Sequence, residues 1–518
     1  MYSLIFWHKI YYILIEKNYL SDYFETEPMN ILLAAAEAAP FAKAGGLADM
    51  TQSFPFEWKK AGHNPITIIP KYGNIDIYKF GFQPTGLILN VPMGYWTEYG
   101  HLWSGFFPGT DVPVYLIENA DYFNRIGIYG NPDEFWDNDR RFIFFSRAVF
   151  EASKALNFKP DIIHAHDYHT AFTMAFLKSQ YRFDSLFYET AGVFTIHNLA
   201  YQGKFDAARA MEYSTFGMSQ FYPGSWFEKD GAVNAMKTGI MFADKITTVS
   251  PSYAQEIRTP FFSEGMQSEL NYRAADLVGV LNGVYYDEWS PENDSFIYEK
   301  FDVNTLSIKH SNKIKFLLEH GVNESDNLDL PLIGMVSRLA EQKGIDLLIN
   351  NLEEHLAKNR YRFALLGTGE SRYVDFFNYL AWKYPGRALI HIGYDNALSH
   401  KIIGSSDFFI VPSRFEPCGL TQMYALRFGT IPIVRSTGGL ADTVFEYRYY
   451  TFEGNGYTFW HYNSDDYSFA LNRALDVFNN QPHWDNIRRN AMLADYSSTK
   501  SSHEYIKVFN WALGKVRS

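Results

Sequence analysis

The chain has 518 residues, which exceeds the size at which a single hydrophobic core keeps growing, so two substantial domains are expected. Its net charge of −12 excludes a general electrostatic attraction to nucleic acid or to an anionic membrane surface. Its single cysteine, Cys418, excludes an internal disulfide and fits a reducing compartment, so we expect a cytoplasmic protein.

Residues 1–28 are expected to form a peripheral extension that precedes the functional fold. An apolar run at 10–15 has charged residues on both sides and is too short to span a bilayer. No small-residue cleavage site follows it, so a secretory signal is not indicated either. We expect the fold to open at Met29, directly before a pattern typical of a buried strand.

From Met29 onward, short apolar runs typical of buried strands alternate with stretches of helical periodicity. The strand candidates of the first half are residues 31–36, 65–70, 161–166 and 192–198. Those of the second half are residues 330–337, 362–367, 387–393, 407–413 and 430–436. This alternation favours an α/β fold of two doubly wound domains, with parallel sheets and helices on both faces. We place the N-terminal domain at 29–272 and the C-terminal domain at 273–494.

The pentapeptide GGLAD occurs twice, at 45–49 and at 438–442, each time at the expected start of a helix. Glycine lets a ligand approach the backbone closely, and the free amides of a helix start attract anions. A basic residue stands near each copy, Lys43 near the first and Arg435 near the second. Two such helix starts facing one cleft would suit a diphosphate. The alternative is a pair of tight turns that only pack.

Two cations, Arg338 and Lys343 of SRLAEQKG, follow the strand candidate at 330–337. Ligands of open α/β sheets bind at the carboxyl ends of the strands, where this octapeptide lies. Such a pair suits a diphosphate leaving group, because negative charge accumulates there as the bond breaks. A solvated basic surface is the alternative interpretation.

The hexapeptide HAHDYH, at another strand end, contains His164, His166, Asp167 and His169. Strand alternation puts His164 and His166 on one side, but a zinc site would need a third ligand, and the chain has no cysteine cluster. We therefore expect no metal. A buried, hydrogen-bonded role and a contact with substrate both stay open for these histidines.

Glu416 follows the strand candidate at 407–413 and precedes an expected helix. Its carboxylate is therefore expected to point into the cleft from the carboxyl edge of the sheet. It would also suit the N-terminal cap of that helix, and the two roles are compatible. Cys418, two residues further, is interpreted as a small buried side chain rather than a nucleophile.

The chain resembles the bacterial glycogen synthase and plant starch synthase family (glycosyltransferase family 5) from about residue 29 to its carboxyl end. The segments that carry the resemblance, in the family's order and spacing, are AEAAPFAKAGGLAD, HAHDYHT, FTIHNLAYQG, ADKITTVSPSYAQEI, GVLNGVYYDEWSP, SRLAEQKGIDLL and SRFEPCGLTQMYALRFGTIPIVRSTGGLADTV. The resemblance implies two Rossmann-like domains facing a deep cleft (the GT-B type), with residues 495–518 forming a helix that crosses back to the first domain. It also implies transfer of glucose from a nucleotide sugar, usually ADP-glucose, to the non-reducing 4-hydroxyl of an α-1,4-glucan such as a glycogen primer. The α configuration would be retained, and neither a metal nor another cofactor would take part.

Residue roles carry over where the motifs match. The catalytic residues that the resemblance implies are Glu416, His166, Arg338 and Lys343. The donor-binding residues that it implies are Lys43, Gly45, Gly46, Asp49, Asn282, Tyr394, Gly438, Gly439 and Leu440. Glu416 would lie over the donor glucose and His166 would hydrogen-bond that sugar, while Arg338 and Lys343 would neutralise the departing ADP. The amides at 438–440 would bind its distal phosphate.

Some positions depart from the family pattern. Ala44 stands where the family usually has Ser or Thr, and Tyr168 stands where HDWH has tryptophan. Tyr424 occupies the position at which related glycosyltransferases often place a second glutamate. The segment DYSSTKSSHEY also lacks the tryptophan typical of the crossing helix.

Several alternatives stay open at the level of the sequence. One alternative is a glucosyltransferase of the same fold that uses UDP-glucose or a different glucan acceptor. The sequence does not determine the oligomeric state. Retention without an obvious protein nucleophile favours front-face attack over a two-step route. A nicotinamide-dependent oxidoreductase is disfavoured because no GxGxxG follows the first strand candidate. A pyridoxal phosphate phosphorylase and an inactive glucan-binding protein are further alternatives, but the latter would lose the cations and Glu416.

Overall fold

The structure, a computed structural model, describes residues 27–131 and 133–517. Of the extension expected at 1–28, residues 1–26 lie outside the described part. The described chain builds two large sheets with helices packed against them. The α/β fold expected from the sequence is therefore confirmed.

The described residues of the first half, 27–131 and 133–279, supply twelve strands. They are β1 (Asn30–Ala34), β2 (Asn64–Pro70), β3 (Gln83–Met93), β4 (Trp96–Phe106), β5 (Pro113–Glu118), β6 (Ile162–His166), β7 (Ala191–Ile196), β8 (Lys204–Phe205), β9 (Glu228–Lys229), β10 (Ala232–Asn234), β11 (Lys245–Thr248) and β12 (Leu277–Gly279). Nine of them form one sheet in the order β12-β11-β7-β6-β1-β2-β5-β4-β3, and β8, β10 and β9 form a small separate sheet.

The helices of the first half connect these strands. They are α1 (Gly46–Lys60), α2 (Ala120–Phe123), α3 (Asn138–Ala155), α4 (Asp167–Thr170), α5 (Phe172–Lys178), α6 (Ala207–Tyr213), α7 (Ala235–Phe242), α8 (Pro251–Glu256) and α9 (Gln267–Tyr272), with short 3-10 turns at Met218–Gln220 and Ala274–Asp276.

The centre of the first sheet is parallel because its strands are apolar on both faces. β1 pairs with β2 on one side and β6 on the other, so that Leu32 lies opposite Ile66 and Ile163. The side chains of residues 31–34 are fully buried. Strands covered on both faces have continuous apolar runs, which is the pattern that the sequence shows there.

One edge of this sheet differs from the expected parallel arrangement. β4 pairs antiparallel with both β3 and β5. Along β3, the buried side chains Leu89, Val91 and Met93 alternate with exposed ones. Burial on a single face is typical of an antiparallel strand with its other face in water. The β3–β4 hairpin turns at Gly94, whose φ of 64° favours glycine.

The second half forms a six-stranded parallel sheet. Its strands are β13 (Leu332–Val336), β14 (Arg362–Gly367), β15 (Ala388–Ile392), β16 (Phe408–Val411), β17 (Ile431–Arg435) and β18 (Tyr457–Phe459), in the order β15-β14-β13-β16-β17-β18. Its helices are α10 (Ile308–Glu319), α11 (Ile345–Ala357), α12 (Ser371–Lys383), α13 (Asn396–Ser405), α14 (Thr421–Arg427), α15 (Gly438–Thr443), α16 (Ser464–Phe478) and α17 (Gln481–Leu493), with a 3-10 turn at Glu341–Lys343.

The last helix, α18 (Ser498–Arg517), packs against the first half of the chain. The ring of Tyr505 lies 5.1 Å from that of Phe54, and the ring of Phe509 lies 5.1 Å from that of Trp58. None of the helices within residues 27–131 and 133–517 has the length and apolar character that a membrane span requires.

The expected domain boundary at 272/273 lies within the elements of the first sheet. β12 follows this boundary in the chain and pairs in parallel with β11, so the first sheet ends only at Gly279. A strand of three half-buried residues has too short a pattern to be recognised from sequence. The divisions at 272/273 and 494/495 otherwise stay predictions.

Candidate active site

A cleft of about 760 Å³ lies between the two halves of the chain. Its walls include residues that follow the carboxyl ends of β1, β6, β7, β13, β14 and β16, where ligands of open α/β sheets bind. The predicted site residues that line it are Lys43, Gly45, Gly46, Asp49, Asn282, Arg338, Lys343, Tyr394 and Glu416. His166 and the residues 438–440 lie outside this lining.

An ion pair joins Glu416 to Lys343 in the wall formed by the second half, with Lys343 Nζ 2.6 Å from Glu416 Oε2. Ser413 donates its hydroxyl to the same carboxylate oxygen at 2.8 Å. Glu416 is only 7% exposed, so its attraction to the lysine is screened less than it would be on a surface. Arg338 lines the same wall, is exposed, and donates from Nη2 to Gln342 Oε1 at 3.1 Å. Two cations and a carboxylate thus meet at this wall.

A glycine explains how Lys343 comes to face Glu416. Gly344 has a φ of 73°, and a Cβ at this position would lie 2.1 Å from the carbonyl oxygen of Pro412. Only glycine fits such a contact with the end of β16 without strain. The amide of Arg414 donates to the carbonyl of Gln342 at 2.9 Å, which ties the two loops together.

The wall formed by the first half contains a carboxylate that sequence reasoning missed. Glu37 follows β1, is buried, and accepts the amides of Ala44 at 2.6 Å and Gly45 at 2.9 Å. Tyr129 also donates its hydroxyl to Glu37, and burial together with this carboxylate raises the pKa of Tyr129. The signal was present in the sequence, because Glu37 directly follows the strand candidate at 31–36, as Glu416 follows another.

Lys43 and Asp49 form a second ion pair in this wall, with Lys43 Nζ 2.5 Å from Asp49 Oδ1. Burial lowers the pKa of Lys43, but the attraction of Asp49 outweighs burial and leaves that pKa raised. Burial raises the pKa of Asp49 against the opposing effect of Lys43. Lys43 is therefore positively charged at pH 7, and it lines the cleft.

The two GGLAD copies differ in why they need glycine. At Gly45 the backbone is extended, with φ −153°, and a Cβ would have no heavy atom of the described chain within 4 Å, apart from its own neighbours. Gly438, in contrast, has a φ of 44°, and a Cβ there would lie 2.0 Å from the carbonyl oxygen of Glu416. A Cβ at Gly439 would lie 2.0 Å from the carbonyl oxygen of Cys418. Packing beneath the loop of Glu416 therefore accounts for the second pair. It does not account for Gly45, whereas a Cβ at Gly46 would lie 3.3 Å from Leu420 Cδ1 of that loop.

Protein acceptors engage the amides of the second copy. Gly438 donates its amide to Glu256 Oε1 at 2.8 Å, and the hydroxyl of Thr437 donates to the same oxygen at 3.0 Å. Gly439 donates its amide to the carbonyl of Glu416, and Leu440 donates to that of Thr437. This differs from the expectation that the amides at 438–440 face a phosphate, because α8 of the first half brings a glutamate to this helix start.

The histidines of β6 and of the helix that follows it are buried. His164 Nε2 lies 2.6 Å from Thr195 Oγ1, and His166 Nδ1 lies 3.1 Å from His197 Nε2. Burial holds the pKa values of His164, His166 and His169 well below the ordinary range, so all three are neutral at pH 7. His169 and His197 line the cleft, and His166 lies behind His197. His166 Nε2 is buried and has no hydrogen-bond partner within the described residues.

Asp167 lines the cleft and was given no role from the sequence. It has a φ of 55°, and its carboxylate accepts the amides of His197 at 2.7 Å and Asn198 at 3.4 Å. Burial raises the pKa of Asp167 to about 7, against the effect of these two hydrogen bonds. The carboxylate therefore holds the loop after β7, and with it His197, at the cleft.

The remaining predicted residues occupy the floor and the rim of the cleft. Asn282 is buried in its wall, while Tyr394 is largely exposed at its edge. Tyr424 lines the cleft and stacks on Trp289 with ring centroids 3.9 Å apart. Cys418 is buried, and burial raises the pKa of its thiol, which makes it a poor nucleophile.

Within residues 27–131 and 133–517, no group of three or more His, Cys, Asp or Glu side chains is arranged to hold a metal ion. The cleft instead presents paired charges, Lys343 with Glu416 and Lys43 with Asp49, from its two walls. Such walls suit a polar, phosphate-bearing ligand that bridges the two halves.

The comparisons with known proteins agree with this geometry. Residues 30–272 match the family model of the starch synthase catalytic domain, and residues 322–491 match that of group 1 glycosyl transferases. The glycogen synthase of Thermosipho africanus is 41% identical over 94% of this chain and 100% of its own length. That of Bacillus subtilis is 40% identical over 93% of this chain and 98% of its own length. The chain belongs to the glycogen synthase and starch synthase family.

This synthase also shares its architecture with a solved member of the family. The catalytic domain of Starch Synthase IV from Arabidopsis thaliana, bound to ADP and acarbose, superposes with a TM-score of 0.86. It is 32% identical, and the match covers 94% of this chain and 100% of that one. The GT-B arrangement of two Rossmann-like units is therefore confirmed, and the synthase is a glycosyltransferase.

Proposed function

We propose that the synthase transfers glucose from ADP-glucose to the non-reducing 4-hydroxyl of an α-1,4-glucan such as glycogen, with retention of the α configuration. The observation that carries this proposal is the cleft with Arg338, Lys343 and Glu416 on one wall and the open backbone of Gly45 on the other. The ADP and acarbose named with the Arabidopsis relative support a nucleotide diphosphate and a glucan-like acceptor.

The cations of the second wall would bind the diphosphate of the donor. As the bond between the sugar and the phosphate breaks, negative charge grows on the departing ADP, and Lys343 and Arg338 stabilise it. Lys343 is already held by the Glu416 carboxylate, so it is positioned before the ligand arrives. The amides at 438–440, which were expected to contact a phosphate, donate to acceptors of the protein. We therefore assign the diphosphate to Lys343 and Arg338.

The first wall would complete the donor site. The glycines Gly45 and Gly46 let the donor sugar and its phosphates approach the start of α1, with Lys43 and Asp49 beside them. The exposed ring of Tyr394 at the rim and the buried Asn282 line the donor pocket. His166 would act on the donor sugar through His197, which lines the cleft and whose Nε2 lies 3.1 Å from His166 Nδ1.

The reaction would proceed on one face of the sugar. The bond from the anomeric carbon to the phosphate oxygen breaks, a bond to the acceptor 4-oxygen forms, and the hydroxyl proton passes to the departing phosphate. Glu416 stabilises the positive character of the sugar ring, and positioning supplies much of the acceleration. The buried thiol of Cys418, with its raised pKa, is unsuited to a two-step route. The lone cysteine is consistent with a cytoplasmic location.

A donor-preference assay tests the proposal. The purified chain is mixed with glycogen and either ADP-glucose or UDP-glucose, and both nucleotide release and chain growth are measured. We expect ADP release coupled to elongation, with a much lower kcat/KM for UDP-glucose. The Glu416→Gln variant, prepared in the same way, controls for contaminating activity. A preference for UDP-glucose would overturn the donor assignment, and the absence of chain growth with either donor would overturn the proposed reaction.

A further inference from the structure

Three aromatic rings are stacked in the second half of the chain, from the cleft toward the protein interior. The ring of Tyr424 lies 3.9 Å from that of Trp289, with the two planes 3° apart. The imidazole of His400 lies 3.7 Å from the same indole, with the planes 14° apart. Two rings so close to one indole must cover its opposite faces, so Trp289 lies between Tyr424 and His400. We call these three rings the aromatic stack.

A buried carboxylate fixes the inner end of the aromatic stack. Asp294 Oδ2 lies 2.7 Å from His400 Nδ1, and both side chains are almost completely buried. A carboxylate accepts hydrogen bonds and does not donate them, so Nδ1 carries the hydrogen and the plane of the imidazole is set. The second oxygen, Asp294 Oδ1, accepts the amide of Phe296 at 2.8 Å. The carboxylate that orients His400 is thus itself held in place.

Packing alone explains the pair of His400 and Asp294 poorly. A carboxylate and an imidazole lose their water when they are buried, and an apolar pair of similar volume is often equally stable. His400 Nε2 is also buried and has no hydrogen-bond partner among residues 27–131 and 133–517, which costs further free energy. What the polar pair provides is a fixed orientation of the imidazole, and with it of the rings stacked upon it.

The three rings belong to separate elements that meet at the cleft. Trp289 lies in the segment between the two large sheets, His400 lies on α13 and Tyr424 lies on α14. α14 follows the loop of Glu416, and α13 begins two residues after Tyr394 at the rim of the cleft. The aromatic stack therefore links the two helices that border the proposed donor site.

The outer end of the aromatic stack reaches the cleft. Trp289 and Tyr424 both line it, as do Asp49 and Tyr394 of the proposed donor site. Burial, and to a smaller extent the carboxylates of Asp49 and Glu288, raise the pKa of Tyr424, so its hydroxyl keeps its proton at pH 7. Asp49 belongs to the opposite wall, so Tyr424 lies where the two walls approach each other. A protonated hydroxyl at this position can donate to an oxygen of a ligand that bridges them.

We propose that His400 and Asp294 are positioning residues for donor binding, which hold Trp289, and through it Tyr424, in the wall of the cleft. There the Tyr424 hydroxyl donates to an oxygen of the nucleotide sugar. This inference rests on the proposed function, since it adds a contact and its support to the same donor site. His400 and Asp294 are buried behind Trp289 and act only through it. Their loss therefore weakens donor binding and leaves the chemical step and the glucan acceptor unaffected.

The first test removes the hydroxyl and its support separately. We expect Tyr424→Phe, which keeps the stacked ring, to raise the KM for ADP-glucose by about three- to ten-fold, the range of one hydrogen bond. His400→Ala should raise it by a similar factor, because the aromatic stack loses its fixed end. In both variants the kcat and the KM for glycogen should stay within about two-fold of the unsubstituted chain. Calorimetric titration with ADP-glucose, without glycogen, should show the same order of weakening.

The double variant Tyr424→Phe/His400→Ala separates positioning from general structural support. Because both substitutions act on one contact, the double variant should bind ADP-glucose about as weakly as either single variant. Asp294→Asn should bind ADP-glucose almost normally, since its side chain still hydrogen-bonds His400 and the amide of Phe296. His400→Phe, whose ring fills the same space but cannot hydrogen-bond Asp294, gives the same comparison if His400→Ala does not fold.

His483→Ala is the matched control. His483 is also buried and stacked in the second half, with its ring 3.7 Å from that of Tyr449. It lies on α17 and outside the lining of the cleft. Its removal should lower the unfolding temperature and leave the KM for ADP-glucose unchanged.

The outcomes separate this inference from the proposed function. If Tyr424→Phe binds ADP-glucose as tightly as the unsubstituted chain, the hydroxyl does not contact the donor and the inference is overturned. If the effects of the two single variants multiply in the double variant, or if His400→Ala lowers only the unfolding temperature, His400 does not act through Tyr424 and the inference is likewise overturned. Failure of the unsubstituted chain to transfer glucose would contradict the proposed function, whereas the titrations with ADP-glucose would still test the aromatic stack. Thermal unfolding of each variant verifies that it is folded.

Discussion

Hydrogen bonds to the side chain and to the main chain of Glu416 fix its carboxylate in the wall of the cleft. Its oxygen Oε2 accepts from both Lys343 and Ser413, and its carbonyl accepts the amide of Gly439. The main-chain carbonyl of Glu416 is thus fixed, and the side chain is held at the cleft by two donors. A carboxylate held in this way needs little reorganisation when positive charge develops nearby.

We expect Glu416→Gln to reduce turnover by about a hundred-fold or more, because the amide keeps the shape but removes the negative charge. Binding of ADP should be largely intact, since Lys343 then loses its ion-pair partner and stays available to phosphate. Steady-state kinetics and ADP titration calorimetry measure the two effects. Glu341→Gln is the control, because Glu341 is an exposed carboxylate in the turn that carries Lys343. Near-normal turnover of Glu416→Gln would remove this residue from the chemistry.

The buried carboxylate of Asp167 makes the stability of the folded protein decrease as the pH rises. Its pKa in the folded protein is about 7, against an ordinary value of 3.8, because burial disfavours the charged form. Between these values the folded protein holds a proton that the unfolded chain has released. The contribution of this group to stability is therefore full below about pH 4 and is lost as the pH rises through about 7.

Replacing Asp167 with asparagine should remove this dependence. The midpoint of thermal unfolding of the unsubstituted chain is expected to fall more steeply from pH 4 to above pH 7 than that of Asp167→Asn. Differential scanning fluorimetry across this range measures the difference. Asp121→Asn, at an exposed position in α2, should follow the unsubstituted chain. Parallel curves for the unsubstituted chain and Asp167→Asn would show that the Asp167 carboxylate is not coupled to folding.

At the scale of elements, the repeated GGLAD sequence starts a helix twice, and both starts bind a carboxylate of the protein. Glu37 accepts amides before α1, and Glu256 accepts an amide at the start of α15. The general affinity of helix starts for anions follows from the sequence. Which anion binds there is not given by the repeat itself: for the first copy the carboxylate stands seven residues before Ala44, and for the second copy it comes from the other half of the molecule.

Gly45 and Gly439 are therefore predicted to respond differently to substitution. Gly45→Ala should leave the unfolding temperature nearly unchanged, since a Cβ there has no close neighbour within the described residues, but it should raise the KM for the donor. Gly439→Ala should lower the unfolding temperature, because its Cβ would lie 2.0 Å from the carbonyl oxygen of Cys418. Thermal unfolding and donor kinetics on both variants measure the contrast. Equal loss of stability in the two variants would mean that both glycines serve packing.

Most strands of the two sheets were predictable, because parallel strands buried on both faces have uninterrupted apolar runs. β1, β2, β6 and β7 lie within one to two residues of the predicted ranges, as do all the predicted strands of the second sheet. β3, β4, β5, β11, β12 and β18 were not predicted. β3 and β4 are half-exposed, and β11, β12 and β18 have only three or four residues, so their patterns are weak. Lys343 and Glu416 both follow predicted strands, and the structure places them as an ion pair in one wall of the cleft.

At the scale of the whole molecule, contacts across the chain hold the cleft walls together. Ser252 of α8 donates its amide and hydroxyl to Asp442 of α15 at 2.8 and 2.7 Å. The hydroxyl of Ser250 donates to the carbonyl of Pro417 at 2.7 Å, next to Glu416. α18 adds a second connection, in which Thr499 donates to Glu57 at 2.8 Å.

Removing a ring of α18 should therefore destabilise the first half of the molecule. Phe509 is fully buried against Trp58, and we expect Phe509→Ala to cost about 3–5 kcal/mol of stability. The unfolding midpoint, followed by tryptophan fluorescence, measures the loss. Lys507→Ala, at an exposed position on the same helix, should have little effect. If the two variants unfold alike, α18 is not part of the core of the first half.

The amino-acid sequence by itself determined the α/β class, the buried strands and the motifs whose charges meet at the cleft. These depend on local periodicity and on residue chemistry, which are readable along the chain. Only the tertiary structure decided that Glu256 binds the second GGLAD amides, that His166 lies behind His197, and that Glu37 and Asp167 belong to the cleft. These facts depend on which distant segments pack together, and the free energy of that packing belongs to the whole core rather than to any one segment.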